Sequence, residues 1–438
     1  MSSHHVDPSE LRAAFALGLS EMYAAEVPLY DTLLDTCAAV NAEHRGGGLD
    51  TAARVGDERH GAIRLGSNQE LAAMAQLFAL LAMRPVGLYD LRDTTASSLP
   101  IVATAFRPTT SEELEASAFR MFTSVLVPGD RRFFDAETGA EIERRVRERT
   151  LFPIGLSDLV AQCTAQGGVA PSQADALVGL AVDALRLDDA ALDLEWHRRL
   201  AEVSPVAADI AGAPSTHLNH LTPRVFDIVA AHRRLEDQGI AMIDRIQGPA
   251  EWAGPSVLLR QTSFRALDED RRAVDAEGRA VVESVRVRFG EVEQRGVSVT
   301  RVGREIVDRC ARDQTALDDV FPADLEELGR TGVANVRFVR ERGRRVDVDD
   351  VWTSVEVGAV TVEPITYEDF LPASATGIFE SNLTHVGRRS DAGGTLDRHG
   401  DTALADLVSA VGRVLDPHEL ADAEQGRSLA RLAEAPTS

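Results

Sequence analysis

The chain has no lysine. All 46 of its basic residues are arginine, set against 70 acidic ones, for a formal charge of -24 over 438 residues. Without an ε-amino group there is no Schiff base, so pyridoxal-phosphate enzymes and lysine aldolases are excluded. Without a phosphate-loop lysine the usual P-loop NTPase is excluded. Any cationic anchor must be a guanidinium, a planar fork suited to carboxylate or phosphate. The acidic excess, with a pI near 4.9, disfavours nucleic acid and anionic membranes as partners. It still allows an anionic small substrate where arginines cluster in a cleft.

Cysteine is scarce. Cys37, Cys163 and Cys310 are odd in number and share no metal-ligand spacing. Neither a disulfide framework nor a zinc ribbon is expected; reduced thiols and a cytoplasmic location are. The first residues lack the basic-then-apolar pattern of a secretory leader. The most apolar stretch, Leu71 to Met83, contains Gln76 and is too short to span a bilayer. The content of 44% hydrophobic and 26% charged residues is that of a chain with a large core.

Apolar residues at Leu11, Phe15, Leu19 and Tyr23 predict amphipathic helix over 9–43, broken at Gly46–Gly48. HGAIRLG (60–66) reads as a strand, Ser67 and Asn68 as caps for a helix over Glu70–Met83, and 85–92 and 100–108 as two more strands. Helices are expected at Ser111–Val125, Glu141–Thr150, Ser172–Leu185 and Asp188–Glu202. The earlier pattern then returns: a strand at 217–225, a helix over Asp227–Gln238, and strands at 240–248, 256–267 and 283–299, with a charged turn at 269–277. Further on, a helix is expected over Arg304–Phe321, strands at Val336–Arg340 and Thr353–Thr361, and a loop at 364–377. The expected units are N-terminal helices (1–50), a first β-α-β-β unit with room for one more strand (51–110), a helical insertion (111–212), a second β-α-β-β-β unit (213–300), and a mixed C-terminal region with a loop and an acidic tail (301–438). The fold class is α+β, built on an internal repeat.

Both units begin with His-x-x-x-Arg: His60 to Arg64, and His220 to Arg224. On a strand, residues four apart face the same way, so each unit offers an imidazole and a guanidinium on one face. The last strand of the second unit adds Glu291 and Glu293, also on one face. Two histidines and one carboxylate form the facial triad of non-haem Fe(II) oxygenases, which leaves positions open for a bidentate substrate and O₂. Spacing does not separate Glu291 from Glu293. His217, three residues before His220, falls on the opposite face of a regular strand and reads as packing or support. Gln261 and Arg265, four apart on a central strand, are candidates to line the pocket or to form a structural pair.

HGAIRLG, NHLTPR, FGEVEQRG and FLPASATGIF together resemble the motifs of the 2-oxoadipate dioxygenase/decarboxylase family, the D-2-hydroxyglutarate synthases, over about residues 10 to 390. The resemblance implies a vicinal-oxygen-chelate-like core of two β-α-β-β-β units around a central metal-binding sheet. It implies Fe(II) held by His60, His220 and Glu293, Arg64 as the catalytic anchor for a substrate carboxylate, and Ala373 and Ser374 in a loop over the substrate. Ala373 is smaller than the valine usual there. The implied reaction takes a 2-oxo acid, 2-oxoadipate first, and O₂ to 2-hydroxyglutarate and CO₂. Two other readings stay open: a vicinal-oxygen-chelate isomerase or hydrolase using Zn²⁺ or Ni²⁺, and a non-catalytic binder holding an organic anion on Arg64 and Arg224.

Overall fold

Two copies of one β-α-β-β-β path, joined edge to edge, make the sheet on which the rest of the chain is laid. In the computed structural model, which describes residues 5–44, 50–92, 98–286, 288–371 and 402–434, the first copy runs β1 (Arg59–Leu65), a helix (Asn68–Leu80), β2 (Arg84–Asp90), β3 (Ile101–Arg107) and β4 (Arg120–Leu126). The strand order is β2-β3-β4-β1, with β1 and β4 parallel. After a run of helices and a two-residue strand, β5 (Leu192–Asp193), the second copy repeats the path. It runs β6 (Leu218–Pro223), a helix (Ile228–Asp237), a segment bridged to the sheet at Met242 and Gln247, β7 (Leu259–Ser263) and, after a hairpin, β10 (Glu291–Arg295). β6 meets β10 through a parallel bridge, Arg224 to Glu293, as β1 meets β4. The two copies join where β1 and β6 pair antiparallel, with His60 opposite Thr222 and Ala62 opposite His220.

Local chemistry sets these elements. The Ser67 hydroxyl caps the helix at the Glu70 N–H, while the Glu70 carboxylate accepts from the Gly66 N–H at 2.6 Å and pairs with Arg149. Leu71, Met74, Leu77 and Phe78 on that helix are fully buried. Glycine brackets β10 because neighbouring groups come too close for a side chain. A Cβ at Gly290 would lie 1.9 Å from the Phe264 ring, and one at Gly296 2.3 Å from the Ser256 carbonyl oxygen. The N-terminal helix Pro8–Glu26 lies against β6, and the Tyr23 hydroxyl sits 3.0 Å from both the Asn219 and the Phe289 carbonyl oxygens. It thus ties β6 to the turn that leads into β10.

Four expectations are corrected. The predicted helix Ser111–Val125 is a short helix, Ser111–Ala116, followed by β4, the fourth strand of the first unit. Every residue of β4 is buried, so it lacks the alternation that marks a half-exposed strand. The predicted turn 269–277 is mostly β8 (Asp268–Val274), which pairs with β9 (Ala280–Arg286) in a hairpin beside β5. The single strand expected over 283–299 is therefore divided between β9 and β10. Thr353–Thr361 is the end of a helix, Val351–Glu356, and the start of β12 (Val360–Pro364), which pairs with β11 (Val336–Arg340). No helix among the described residues is long and apolar enough to cross a membrane.

Tyr23→Phe should lower stability by about 1 kcal/mol, the net worth of one buried hydrogen bond, read as a lower apparent Tm with unchanged secondary structure. An unaltered Tm would show that the hydroxyl does not bind the two segments together.

Candidate metal centre

Register explains which side chains meet. Arg120, His60 and Thr222 stand side by side across β4, β1 and β6; Ala105, Phe122, Ala62 and His220 form the adjacent row. Glu291 reaches the first of these rows from β10, where Thr222 Oγ1 lies 3.4 Å from its Oε1. His60, His220 and Glu291 therefore converge. One ligand atom from each lies within 4.8 Å of the others, and all three residues are buried. His60 Nε2 is 3.1 Å from Glu291 Oε1, and His220 Nε2 is 4.0 Å from Glu291 Oε2. Two imidazole nitrogens and a carboxylate, with no thiolate, fit a divalent first-row metal ion of borderline softness.

Glu293, the carboxylate expected as third ligand, is outside this cluster. It lies on the other side of the His60 ring, 2.9 Å from Nδ1, and is held by Arg295 at 2.8 and 2.9 Å. The alternative, Glu291, takes the position among the ligand atoms. Both glutamates face the same way, as the spacing requires, but Arg295 two residues on claims Glu293. Gln261 Nε2 donates to Glu291 Oε1 at 2.5 Å, and the His220 Nδ1 contacts Thr222 Oγ1 at 2.9 Å, so each donor is oriented from behind.

The electrostatics of the two imidazoles differ. Burial brings His220 down to about 4, so it is the neutral imidazole a metal needs. Burial pushes the Glu291 carboxyl up, but His220 and His60 outweigh it and hold it below the usual range. Burial opposes a charge on His60, yet Glu293 and Glu291 more than offset this and raise it.

The remaining expected residues divide. Arg64 lies on the ligand face, and its Nη1 is 2.5 Å from Asp209 Oδ2. His217 turns to the same carboxylate, with Nε2 3.2 Å from Asp209 Oδ1, and so stands beside Arg64 rather than among the ligand atoms. Arg265 does not face the site. It follows the end of β7 and pairs with the exposed Asp244 at 2.6 Å. Arg224 is committed to Glu58 and Asp50, at 2.8 and 2.7 Å. Ala373 and Ser374 lie outside the described residues.

What sequence reading missed is the support beneath the site. Glu58 is fully buried and meets Arg120 at 2.5 Å, Arg224 at 2.8 Å, Arg295 at 3.3 Å and Arg54 at 3.5 Å. Glu368 pairs with Arg54 and Arg120, and Asp369 pairs with Arg107 at 2.7 Å. Arg295 also donates to the Tyr367 and Asp369 carbonyls. These contacts seat Phe370 5.0 Å from the His60 ring. Glu58 was open to the same alternation rule, being two residues before His60; Asp209 and Glu368 carry no local signal.

Stability should fall in acid. Burial pushes the Glu368 carboxyl up, but Arg54 and Arg120 more than offset it and bring it down to about 2. A depressed carboxylate contributes its stability above its unfolded value, about 4.3, and loses it as pH falls towards the folded value. Asp209, held down by His217 and Arg64 against the upward push of burial, acts in the same direction. Apparent Tm should drop steeply below about pH 4. A level Tm down to about pH 3 would contradict it.

Comparison with known proteins identifies the family. The profile of the 2-oxoadipate dioxygenase/decarboxylase family matches residues 15–382. A protein of that name from Mycobacterium tuberculosis is 45% identical over 430 residues, covering 96% of this chain and 98% of the relative. One from Pseudomonas putida is 35% identical over 415 residues, covering 86% and 88%. Among solved structures, the hydroxyglutarate synthase from Pseudomonas putida in complex with 2-oxoadipate superposes with a TM-score of 0.81 at 30% identity, covering 98% of both chains. A glyoxalase-superfamily protein from Ralstonia eutropha, 20% identical with a TM-score of 0.52 over 67% of this chain and 86% of that one, shares the fold. The chain belongs to the 2-oxoadipate dioxygenase/decarboxylase family.

Proposed function

We propose that this chain is a cytoplasmic Fe(II)-dependent enzyme that converts a 2-oxo dicarboxylic acid and O₂, 2-oxoadipate first, to 2-hydroxyglutarate and CO₂. The observation that carries this reading is the convergence of His60, His220 and Glu291 on one face of the paired units. Bound there, Fe(II) would supply the redox chemistry with O₂ and a Lewis-acidic seat for a 2-oxo carboxylate. The chain's own residues do the rest. Glu293 fixes the His60 ring, and Gln261 fixes the Glu291 carboxylate. Arg64, steadied by Asp209, takes the distal carboxylate and so selects chain length. Phe370 and Phe122, 5.2 Å apart, set an apolar wall beside His60 that keeps water from the reacting carbon. Ala373 and Ser374, which follow Phe370 closely in sequence, are the further residues proposed to contact the substrate. The three cysteines are separate buried thiols, in keeping with a reducing compartment.

The stoichiometry balances with one decarboxylation. The six-carbon acid loses one carbon as CO₂, and both atoms of O₂ enter the five-carbon product, one in the new carboxylate and one as the hydroxyl. With ¹⁸O₂, product mass should report this incorporation, while oxygen uptake and CO₂ release run one to one. Metal-loaded protein that consumes no O₂ with 2-oxoadipate or any other 2-oxo acid would refute the reading.

Two sets of variants test the assignments. Glu291→Ala should lose the metal, whereas Glu293→Gln should keep the site and weaken its affinity by about 10- to 100-fold. The reverse order, measured by metal titration, would return the ligand role to Glu293. Arg64→Ala should bind metal normally and show a roughly 10- to 100-fold rise in KM with slower turnover, as loss of a charge-assisted carboxylate contact entails. Parental kinetics would exclude Arg64 as the anchor.

A further inference from the structure

The internal two-fold gives the residues of β6 and β10 counterparts in β1 and β4. Equating the two His-x-x-x-Arg starts aligns His60 with His220 and Arg64 with Arg224. Arg64 stands against Ser124 on the parallel neighbour β4; Arg224 stands against Glu293 on the parallel neighbour β10. Ser124 is therefore the counterpart of Glu293. Two residues earlier on the same face, Phe122 is the counterpart of Glu291. A site repeated in full would have four protein donors, two imidazoles and two carboxylates. This chain has three, because a phenyl ring replaces the second carboxylate. β4 offers no substitute, since Arg120–Leu126 contains neither histidine nor acid.

Phe122 is placed to matter. It is the strand partner of Ala62, itself the partner of His220, so it lies in the row that holds one ligand. Phe122 is 6% exposed, and its ring packs 5.2 Å from Phe370 and 5.5 Å from Tyr89. Phe370 in turn packs on His60. We propose that Phe122 sets the number of protein ligands at the metal, and thereby the number of positions left to substrate and oxygen. This rests on the reading that His60, His220 and Glu291 hold the ion. An octahedral ion with three protein donors keeps three positions, enough for a chelating 2-oxo acid and O₂ together; a fourth donor leaves too few.

The test compares the parent with Phe122→Glu, Phe122→His and Phe122→Leu. Each is loaded without oxygen with Co(II), whose visible spectrum reports coordination, and titrated with 2-oxoadipate; oxygen uptake is then measured with Fe(II). Phe122→Glu should bind Co(II) at least about tenfold more tightly, no longer change its spectrum on adding 2-oxoadipate, and lose oxygen uptake. Phe122→His, which keeps a ring in the aromatic cluster, carries the same expectation if the carboxylate variant fails to fold. Phe122→Leu cannot ligate and should bind Co(II) like the parent. A folded Glu or His variant with parental affinity and parental response to 2-oxoadipate overturns the proposal, as does a Leu variant that loses Co(II). A parent that binds no Co(II) overturns the three-ligand reading, and the proposal with it.

Discussion

Glu58 is the point on which the site rests. Its carboxylate is fully enclosed and is shared by Arg54, Arg120, Arg224 and Arg295. Those four cations are balanced by Asp50, Glu58, Glu293 and Glu368, so the buried network is neutral as a whole. Removal of any one member would strand a buried charge, at a cost of about 3–5 kcal/mol. The network is also what a chain without lysine can build. A guanidinium presents five donors in a plane and bridges two carboxylates at once, as Arg120 does between Glu58 and Glu368; an ammonium is a compact point charge without that planar fork. Through Arg295 the network reaches Glu293 and so His60; through Arg107 and Arg295 it grips residues 367 to 369 and places Phe370. One set of ion pairs orients the His60 ring and positions Phe370 beside it.

The two units share a scaffold but not a task. His60 and His220 occupy equivalent places and converge on one cluster. The arginines that follow them do not: Arg224 is consumed by Glu58 and Asp50, while Arg64 is held by Asp209 at the other end of the ligand face. The same divergence separates Glu291 from Phe122. Repetition supplies two imidazoles at matched positions; in the proposed site, departure from it would supply an open side and an asymmetric anchor. A chelating dianion needs both, since its two ends are chemically different.

The repeat was legible because strand alternation and the doubled His-x-x-x-Arg survive in a single sequence. So were the pair of histidines and the face on which Arg64 lies. β4 was not, because a strand buried on both faces has no period, and its Ala- and Glu-rich approach reads as helix. The choice between Glu291 and Glu293 was out of reach for a different reason. Both share a face, and the decision belongs to Arg295 and to the depth of each carboxylate along β10, which only pairing with β6 and β7 defines. Arg265 misled because the four-residue rule holds only while the strand lasts, and β7 ends at Ser263. The partners of Arg64 and Arg120, Asp209 and Glu368, are 145 and 248 residues away in sequence and leave no local trace.

The overall charge of -24 poses a question that the local arrangement answers. A dianionic substrate approaching an acidic protein meets repulsion that is screened within about 8 Å at physiological ionic strength, so only nearby charges decide whether it binds. The ion-pair network below His60 is neutral and contributes little attraction. Glu291 adds one negative charge, which a divalent ion more than cancels, leaving a positive remainder at the chelating end. Arg64, the proposed cation at the other end, is paired with Asp209 and His217 shares that carboxylate, so its net pull would be modest. With an ion bound as proposed, recognition of the acid would be dominated by the metal end, with Arg64 discriminating length and geometry more than adding bulk attraction. The absence of lysine fits this division, because a bidentate fork selects where a carboxylate sits, and a mobile point charge would not.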